Sequence, residues 1–350
     1  MKIGIPKEIK VLEGRVALIP EAAGELVKQG HAVAVEQNAG VLSGYTDEHY
    51  RKVGVDILPD AKSLYAFAEL IVKVKEPQPA EFELLRADQI LFSYLHLAAE
   101  PALTEALQKI GITAIGFETV EHNRALPLLA PMSDIAGRLS VQIGSNLLQG
   151  PNGGRGVLLG GLPAAERGKV VILGGGIAGG SAAIMASAMG AEVTVFDPSR
   201  DKLAALRALG HNVTGLHPFA HAIEEHVKQA DLLVGAVLIT GQRAPHLVDA
   251  DLVRQMKPGS VIIDISVDQG GCIETTKPTN YENPTFVWEG VVHFGVTNMP
   301  GAVPRSASQA LSAALLPYTL HLSEAGWEKM PDLASGVNVK GGRIIHPALK

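Results

Sequence analysis

Cysteine is almost absent from this chain. Cys272 is the only one in 350 residues, which excludes an intramolecular disulfide and a cysteine-built zinc cage. No metal site is expected. Aromatic residues are sparse as well, at 5%, and no apolar run reaches the roughly 18 residues needed to span a bilayer. A net charge of −6 with no long basic run argues against nucleic acid or an anionic membrane as the main partner. The opening MKIGIPKEIK lacks the apolar core of a signal peptide, so a cytoplasmic protein is expected.

What the chain does have is apolar material in short pieces. Hydrophobic residues make up 47% and charged residues 19%, the balance of a compact globular protein with one large domain or two. Short β-branched runs alternate with amphipathic segments, the pattern of βαβ units and a parallel sheet. Strands are predicted at 2–5, 32–36, 70–74, 90–94 and 112–116, with helices between them at 21–29 and 101–109. A second series begins at KVVIL (169–173) and continues through EVTVF, DLLVGA and VIIDIS. Residues 132–149 have helical apolar spacing with Ser133 as the predicted N-cap, and 306–326 form a second long helix with a kink expected at Pro317. The predicted fold is α/β: two Rossmann-like domains with parallel sheets, joined by two long helices around a cleft. One domain is discontinuous (1–131 and 307–350) and the other is inserted (132–306). The tail SGVNVKGGRIIHPAL reads as a strand or hairpin returning to the first domain.

The strongest local signal is KVVILGGGIAGGSAAIMASAMGAEVTVFD (169–197), with G-x-G-x-x-G at Gly174, Gly176 and Gly179. It follows a strand, opens an Ala-rich helix, and precedes a second strand that ends in Asp197. Such glycines let the backbone turn tightly and approach a pyrophosphate at the helix N-terminus. An acid at the Asp197 position accepts hydrogen bonds from ribose hydroxyls and repels a 2′-phosphate, so NAD is favoured. Arg200, close by, keeps NADP open. The bland alternative is a turn needed only for helix–sheet packing.

Ligands of open parallel sheets sit beyond the carboxyl ends of the strands. Lys75, His96 and Asp268 occupy such places, and Arg15 follows the first strand after a loop. Each has a bland alternative. From spacing alone Lys75 reads more often as a solvated loop lysine and Arg15 as half of a surface ion pair with Glu13, while His96 reads equally as a satisfied histidine at a helix entry. Asp268 could merely cap a turn. In VIIDISVDQGGCIET (261–275) the lone thiol competes with this acid for a role. A catalytic Cys272 would need an activating partner, so it reads better as a small residue after a Gly-Gly turn.

These residues lie inside motifs of one family. GIPKEIK with RVALIP, VKVKEP, LHLAAE, LLAPMSDIAGR, GGRGVLLGG, GAVLITG, MKPGSVIIDISVDQGGC and NMPGAVPRSAS occur in order over nearly all of residues 1–330. The chain resembles the family shared by alanine dehydrogenases and the α subunit of nicotinamide nucleotide transhydrogenases. The resemblance implies reversible, NAD-dependent oxidative deamination of L-alanine to pyruvate and ammonium. Another small amino acid or imine, or a non-catalytic NAD-binding subunit, remains the alternative. It implies substrate contacts at Arg15 and Lys75, and chemistry at His96 and Asp268. Cofactor contacts are implied at Ser133, the three glycines, Asp197, Lys202, Val237, Leu238, Ile265, Asp268 and Asn298. A homo-oligomer, often a hexamer, is also implied. Two motifs depart from the family pattern: VLEGRVALIP stands in place of an asparagine-rich opening, and PRSAS (304–308) in place of PRTST.

Overall fold

The computed structural model describes residues 1–237 and 245–349. The strands are β1 (Lys2–Ile5), β2 (Ala32–Glu36), β3 (Asp56–Leu58), β4 (Leu70–Val72), β5 (Ile90–Ser93), β6 (Thr113–Gly116), β7 (Lys169–Leu173) and β8 (Glu192–Phe196). They continue as β9 (Val213–Leu216), β10 (Leu232–Gly235), β11 (Val261–Asp264), β12 (Thr285–Trp288), β13 (Val291–Phe294), β14 (Val337–Lys340) and β15 (Arg343–Ile344). The chain divides into two compact units, Met1–Met132 with Gly301–Lys350, and Ser133–Pro300.

In the first unit the sheet order is β15-β14-β6-β5-β4-β1-β2-β3. The six strands from β6 to β3 run parallel. β14 is antiparallel to β6, and the terminal hairpin β14–β15 closes that edge. The second unit has the order β12-β13-β11-β10-β7-β8-β9, parallel except for β12. The sheets are therefore mostly parallel, each with an antiparallel edge. Both repeat one doubly wound order, in which the connection reverses direction beside the first strand of the unit. That reversal opens a crevice at the carboxyl ends of the two central strands. It lies between β1 and β4 in the first unit and between β7 and β10 in the second.

The central strands are buried on both faces, which explains their near-continuous Val/Ile/Leu content. Leu70, Ile71 and Val72 are fully buried, as are Val261, Ile262 and Ile263. The core of the first unit gathers Leu64, Ile71, Leu91, Leu103 and Leu107, and that of the second gathers Leu173, Val227, Leu233, Val253 and Ile262.

Two expectations need correction. The helix predicted from residue 132 begins at Ala130 and ends at Leu147, so Ser133 lies inside its first turn and does not cap it. Pro131 explains the earlier start, because a fixed φ and a missing N–H suit the first helical turn. The second long helix spans Pro304–Leu322, with Pro317 inside it. Gly301–Ser306 belong to the first unit, ahead of the predicted boundary at 306/307. There the Arg305 guanidinium lies 5.0 Å from the centre of the Tyr45 ring, and the Ser43 hydroxyl donates to the Pro304 carbonyl at 3.2 Å.

Candidate active site

At the carboxyl end of β1 the chain bends back past Glu8 and Glu13 to Arg15. The pair Arg15–Glu13 exists, but it is buried, with Arg15 3% and Glu13 5% exposed. Nε donates to Glu13 Oε1 at 2.7 Å and Nη2 to Oε2 at 2.5 Å, a bidentate fork. Arg15 Nη1 reaches Met132 Sδ at 3.1 Å. Glu13 holds the guanidinium charged against the cost of burial, and Arg15 in turn lowers the Glu13 pKa. The segment is anchored from the helix Pro304–Leu322, where Ser308 Oγ accepts the Val16 N–H at 2.9 Å and Ser312 Oγ the Ile19 N–H at 3.0 Å. Ser308 belongs to the divergent PRSAS motif, so that motif keeps a hydroxyl where the backbone beside Arg15 needs one.

β4 ends at Val72 and leads into Lys73 and Lys75. Lys73 is fully buried and donates to both oxygens of Glu81, at 2.8 and 2.7 Å. Lys75 is half-buried, and burial together with the Arg15 charge lowers its pKa. Two cations therefore stand beside each other where β1 and β4 end.

β5 delivers Tyr94 and His96. The Tyr94 hydroxyl donates to the Leu128 carbonyl at 2.6 Å, and its ring stacks on His96 with centres 5.9 Å apart. His96 has φ +50°, a left-handed conformation uncommon for a residue with a β-carbon. Glu118, at the end of β6, accepts the His96 N–H at 2.7 Å and the Leu95 N–H at 3.1 Å. The structure thus brings Arg15, Lys75 and His96 to neighbouring strand ends of one sheet.

In the second unit the glycine turn occupies the reversal point between β7 and β10. Gly174 has φ +96°, and a β-carbon there would lie 2.6 Å from the Ala236 carbonyl oxygen. A β-carbon on Gly179 would meet the Gly174 oxygen at 1.7 Å. Around Gly176, the N-cap of the helix Ile177–Ala188, a β-carbon would meet nothing within 4 Å. Two glycines thus serve packing, and the middle one leaves open space at a helix N-terminus, where a pyrophosphate fits. Asp197 accepts the Gly175 N–H at 2.8 Å and the Ser199 N–H at 2.8 Å, with Lys202 Nζ 3.6 Å away. Each carboxylate oxygen has a second lone pair for a ribose hydroxyl, so the residues present fit a dinucleotide.

Val237 follows β10 and is half-buried, and the Ile265 N–H donates to the Gly235 carbonyl at 2.8 Å. Leu238 lies outside the described residues. Asp268 is exposed in the short helical turn Val267–Gln269 after β11. Asn298 and Ser133 are half-buried in the same unit. The carboxylate that organises the loop carrying Asp268 is Asp264, 1% exposed. It accepts from the Ser266 N–H at 3.1 Å, the Ser266 hydroxyl at 3.0 Å, the Cys272 N–H at 3.1 Å and the Thr276 hydroxyl at 2.9 Å. Cys272 is fully buried beside it, and burial and the Asp264 charge push its thiol up to about 12. A thiol so protonated is no nucleophile.

Glu8, Lys73, Glu118 and Asp264 were not singled out from the sequence. A signal existed for two of them: Lys73 and Asp264 are charged residues inside otherwise apolar strand runs, where burial demands a partner.

Doubly wound topology, a glycine-lined βα turn and an acid closing the next strand define the second unit as a Rossmann-type, dinucleotide-binding unit. Residues 4–136 match the description "Alanine dehydrogenase/PNT, N-terminal domain" and residues 140–347 "Alanine dehydrogenase/PNT, C-terminal domain". The chain belongs to the alanine dehydrogenase/PNT family. It is 47% identical over 355 residues to an alanine dehydrogenase of Bacillus subtilis, spanning 100% of this chain and 94% of that one. With an alanine dehydrogenase of Methanococcus maripaludis the identity is 48% over 356 residues, spanning 100% and 95%. A solved L-alanine dehydrogenase structure matches with a TM-score of 0.96 at 52% identity, covering 100% of this chain and 98% of that one. A transhydrogenase from Sinorhizobium meliloti matches with a TM-score of 0.86 at 26% identity, covering 99% and 100%.

Proposed function

We propose that the chain is an alanine dehydrogenase, an oxidoreductase acting on a CH–NH2 group, which interconverts L-alanine with pyruvate and ammonium using NAD. The observation that carries this reading is the pairing of buried Arg15 with Lys75 at the reversal point of the first sheet, in a chain about 47% identical to curated alanine dehydrogenases over their length. The first unit holds the substrate and the second the nucleotide, at the glycine turn, Asp197, Lys202, Val237, Ile265 and Asn298. When bound, the nicotinamide supplies the hydride acceptor.

The chain's own residues do the rest. Arg15, held rigid by Glu13, binds the substrate carboxylate as a planar fork, and Lys75 adds a second charge. His96 moves protons during hydration of the imine and collapse of the resulting carbinolamine, because an imidazole can both accept and donate a proton. Asp268 orients the amine or water and stabilises the positive charge of the iminium. The chain assembles as a homo-oligomer, a hexamer in this reading, and sedimentation should return a multiple of the chain mass.

The test is NADH oxidation by purified protein with a panel of 2-oxoacids, with and without ammonium, repeated with NADPH. Turnover that needs both pyruvate and ammonium is expected. Nucleotide binding with no turnover on any oxoacid would instead favour a transhydrogenase-like subunit.

A further inference from the structure

The carboxyl ends of β1 and β4 hold an unusual density of buried charge. Glu8, Glu13, Arg15, Lys73, Glu76 and Glu81 are each 8% exposed or less. Most are paired. Arg15 is bound by Glu13, Lys73 by Glu81, and Lys10 by Glu76. Glu81 also accepts the Tyr65 hydroxyl at 2.6 Å and the Gln78 N–H at 2.7 Å.

Glu76 Oε2 is buried without a hydrogen-bond partner among the described residues, but its Oε1 takes Lys10 and the Gln78 amide. Glu8 alone among these acids has no cation within hydrogen-bond distance. Its Oε1 accepts the Val74 N–H at 2.5 Å, bridging the segments that follow β1 and β4. Its Oε2 is buried without a hydrogen-bond partner among the described residues. The nearest cation is Lys73, 3.7 Å away, whose ammonium already serves Glu81. The other charged or titratable groups facing Glu8 are Glu13 and Arg15 on its own segment, Glu81, and Tyr65 on the helix Ala61–Phe67. Two of these are carboxylates that oppose its ionisation.

We propose that Glu8 takes up a proton from solvent when an anionic substrate docks on Arg15 and Lys75, so that carboxylate binding is coupled to neutralisation of this buried acid. The inference rests on the reading of Arg15 and Lys75 as the carboxylate site. A substrate carboxylate adds one negative charge beside a set of acids in which Glu13, Glu76 and Glu81 each bind a cation and Glu8 does not. The cheapest compensation is a proton on the acid with the poorest partners. The proton goes to Oε2, forms an O–H bond there, and returns to solvent on release, with no other bond changed. Burial already pushes Glu8 up to about 7, so the added charge acts where its protonation is evenly balanced. Glu8 is a charge-compensating residue in this scheme and touches no reacting atom.

The experiment is calorimetric titration of pyruvate into the protein–NADH complex, without ammonium, in buffers of different ionisation enthalpy near pH 7. Wild type should take up a substantial fraction of a proton per site. Its pyruvate Kd should rise by up to about tenfold per pH unit above that range, the limit for one linked proton. Glu8→Gln should bind pyruvate without uptake and with a flat Kd. Uptake unchanged in Glu8→Gln assigns the proton to Lys75 or His96 and overturns the proposal. Infrared difference spectra of wild type should show a new protonated-carboxyl band when pyruvate binds, and its absence overturns the proposal without any variant. Pyruvate that fails to bind wild type at all overturns the substrate reading itself.

Discussion

His96 reaches its position through a backbone conformation that costs a residue with a β-carbon of order 1 kcal/mol or more, and Glu118 sustains it by accepting two consecutive N–H groups. A misdirected imidazole should affect chemistry before it affects binding. Glu118→Ala is therefore expected to lower kcat roughly 10-fold to 10²-fold with NADH affinity unchanged, as read by steady-state kinetics and fluorescence titration. Wild-type turnover would show that the clamp is dispensable. Replacing His96 or Asp268 by alanine should cost about 10²-fold or more in turnover, the usual loss for an acid–base group, with NADH binding left largely intact. Lys75→Ala should raise KM for pyruvate as well as lower the rate. An unchanged KM would make Lys75 a bystander.

The loop that follows β11 is an element in its own right, wound around one acid. Asp264 gathers donors from Ser266, Cys272 and Thr276, and Gly235 and Gly271 leave it room. A β-carbon on Gly271 would come within 2.5 Å of Asp264 Oδ2. Asp264→Ala strands buried donors, each costing about 1–3 kcal/mol, so denaturant unfolding should show a loss of roughly 3 kcal/mol or more. Cys272 is held by the same network, and thiol reagents should modify it only on the timescale of unfolding. The helix Ala130–Leu147 illustrates a smaller principle. Its Gly137 sits so close to the helix Ile177–Ala188 that a β-carbon would meet the Ala178 carbonyl oxygen at 2.0 Å, while Asp134 accepts the Ser181 hydroxyl at 2.6 Å. Small residues there make the approach possible.

For the whole molecule, pH dependence is where the buried charges become measurable. Glu8 binds its proton more tightly in the folded chain than in the unfolded one, so its contribution to stability is present at low pH. That contribution is lost as pH rises from about 4.5 towards about 7. Relative to wild type, Glu8→Gln should therefore gain stability across that window, by a few kcal/mol at most, in paired denaturant titrations at the two ends. A constant difference would mean that Glu8 is not perturbed.

Much of the architecture was legible in the chain. β1, β2, β7 and β8 coincide with the predicted runs because they are β-branched and bounded by turn residues. β3, β9, β12 and β13 are not legible in the sequence: DIL, VTGL and TFVW are edge strands, partly exposed and too short for a period, and the buried run VVHF is short and interrupted by His293. The terminal hairpin was visible in its alternation and its Gly-Gly turn.

The sequence by itself determined the two wound α/β series, the glycine turn with its acid, the family, and the strand ends at which ionisable residues stand, because periodicity and local spacing encode these. Only the tertiary structure decided which charges are buried and with whom. Arg15 finds Glu13 two residues away, but Lys73 meets Glu8 from another strand, and Asp264 draws its donors from a loop folded back upon it. A carboxyl group's proton affinity depends on desolvation and on charges nearby in space, neither of which spacing along the chain encodes.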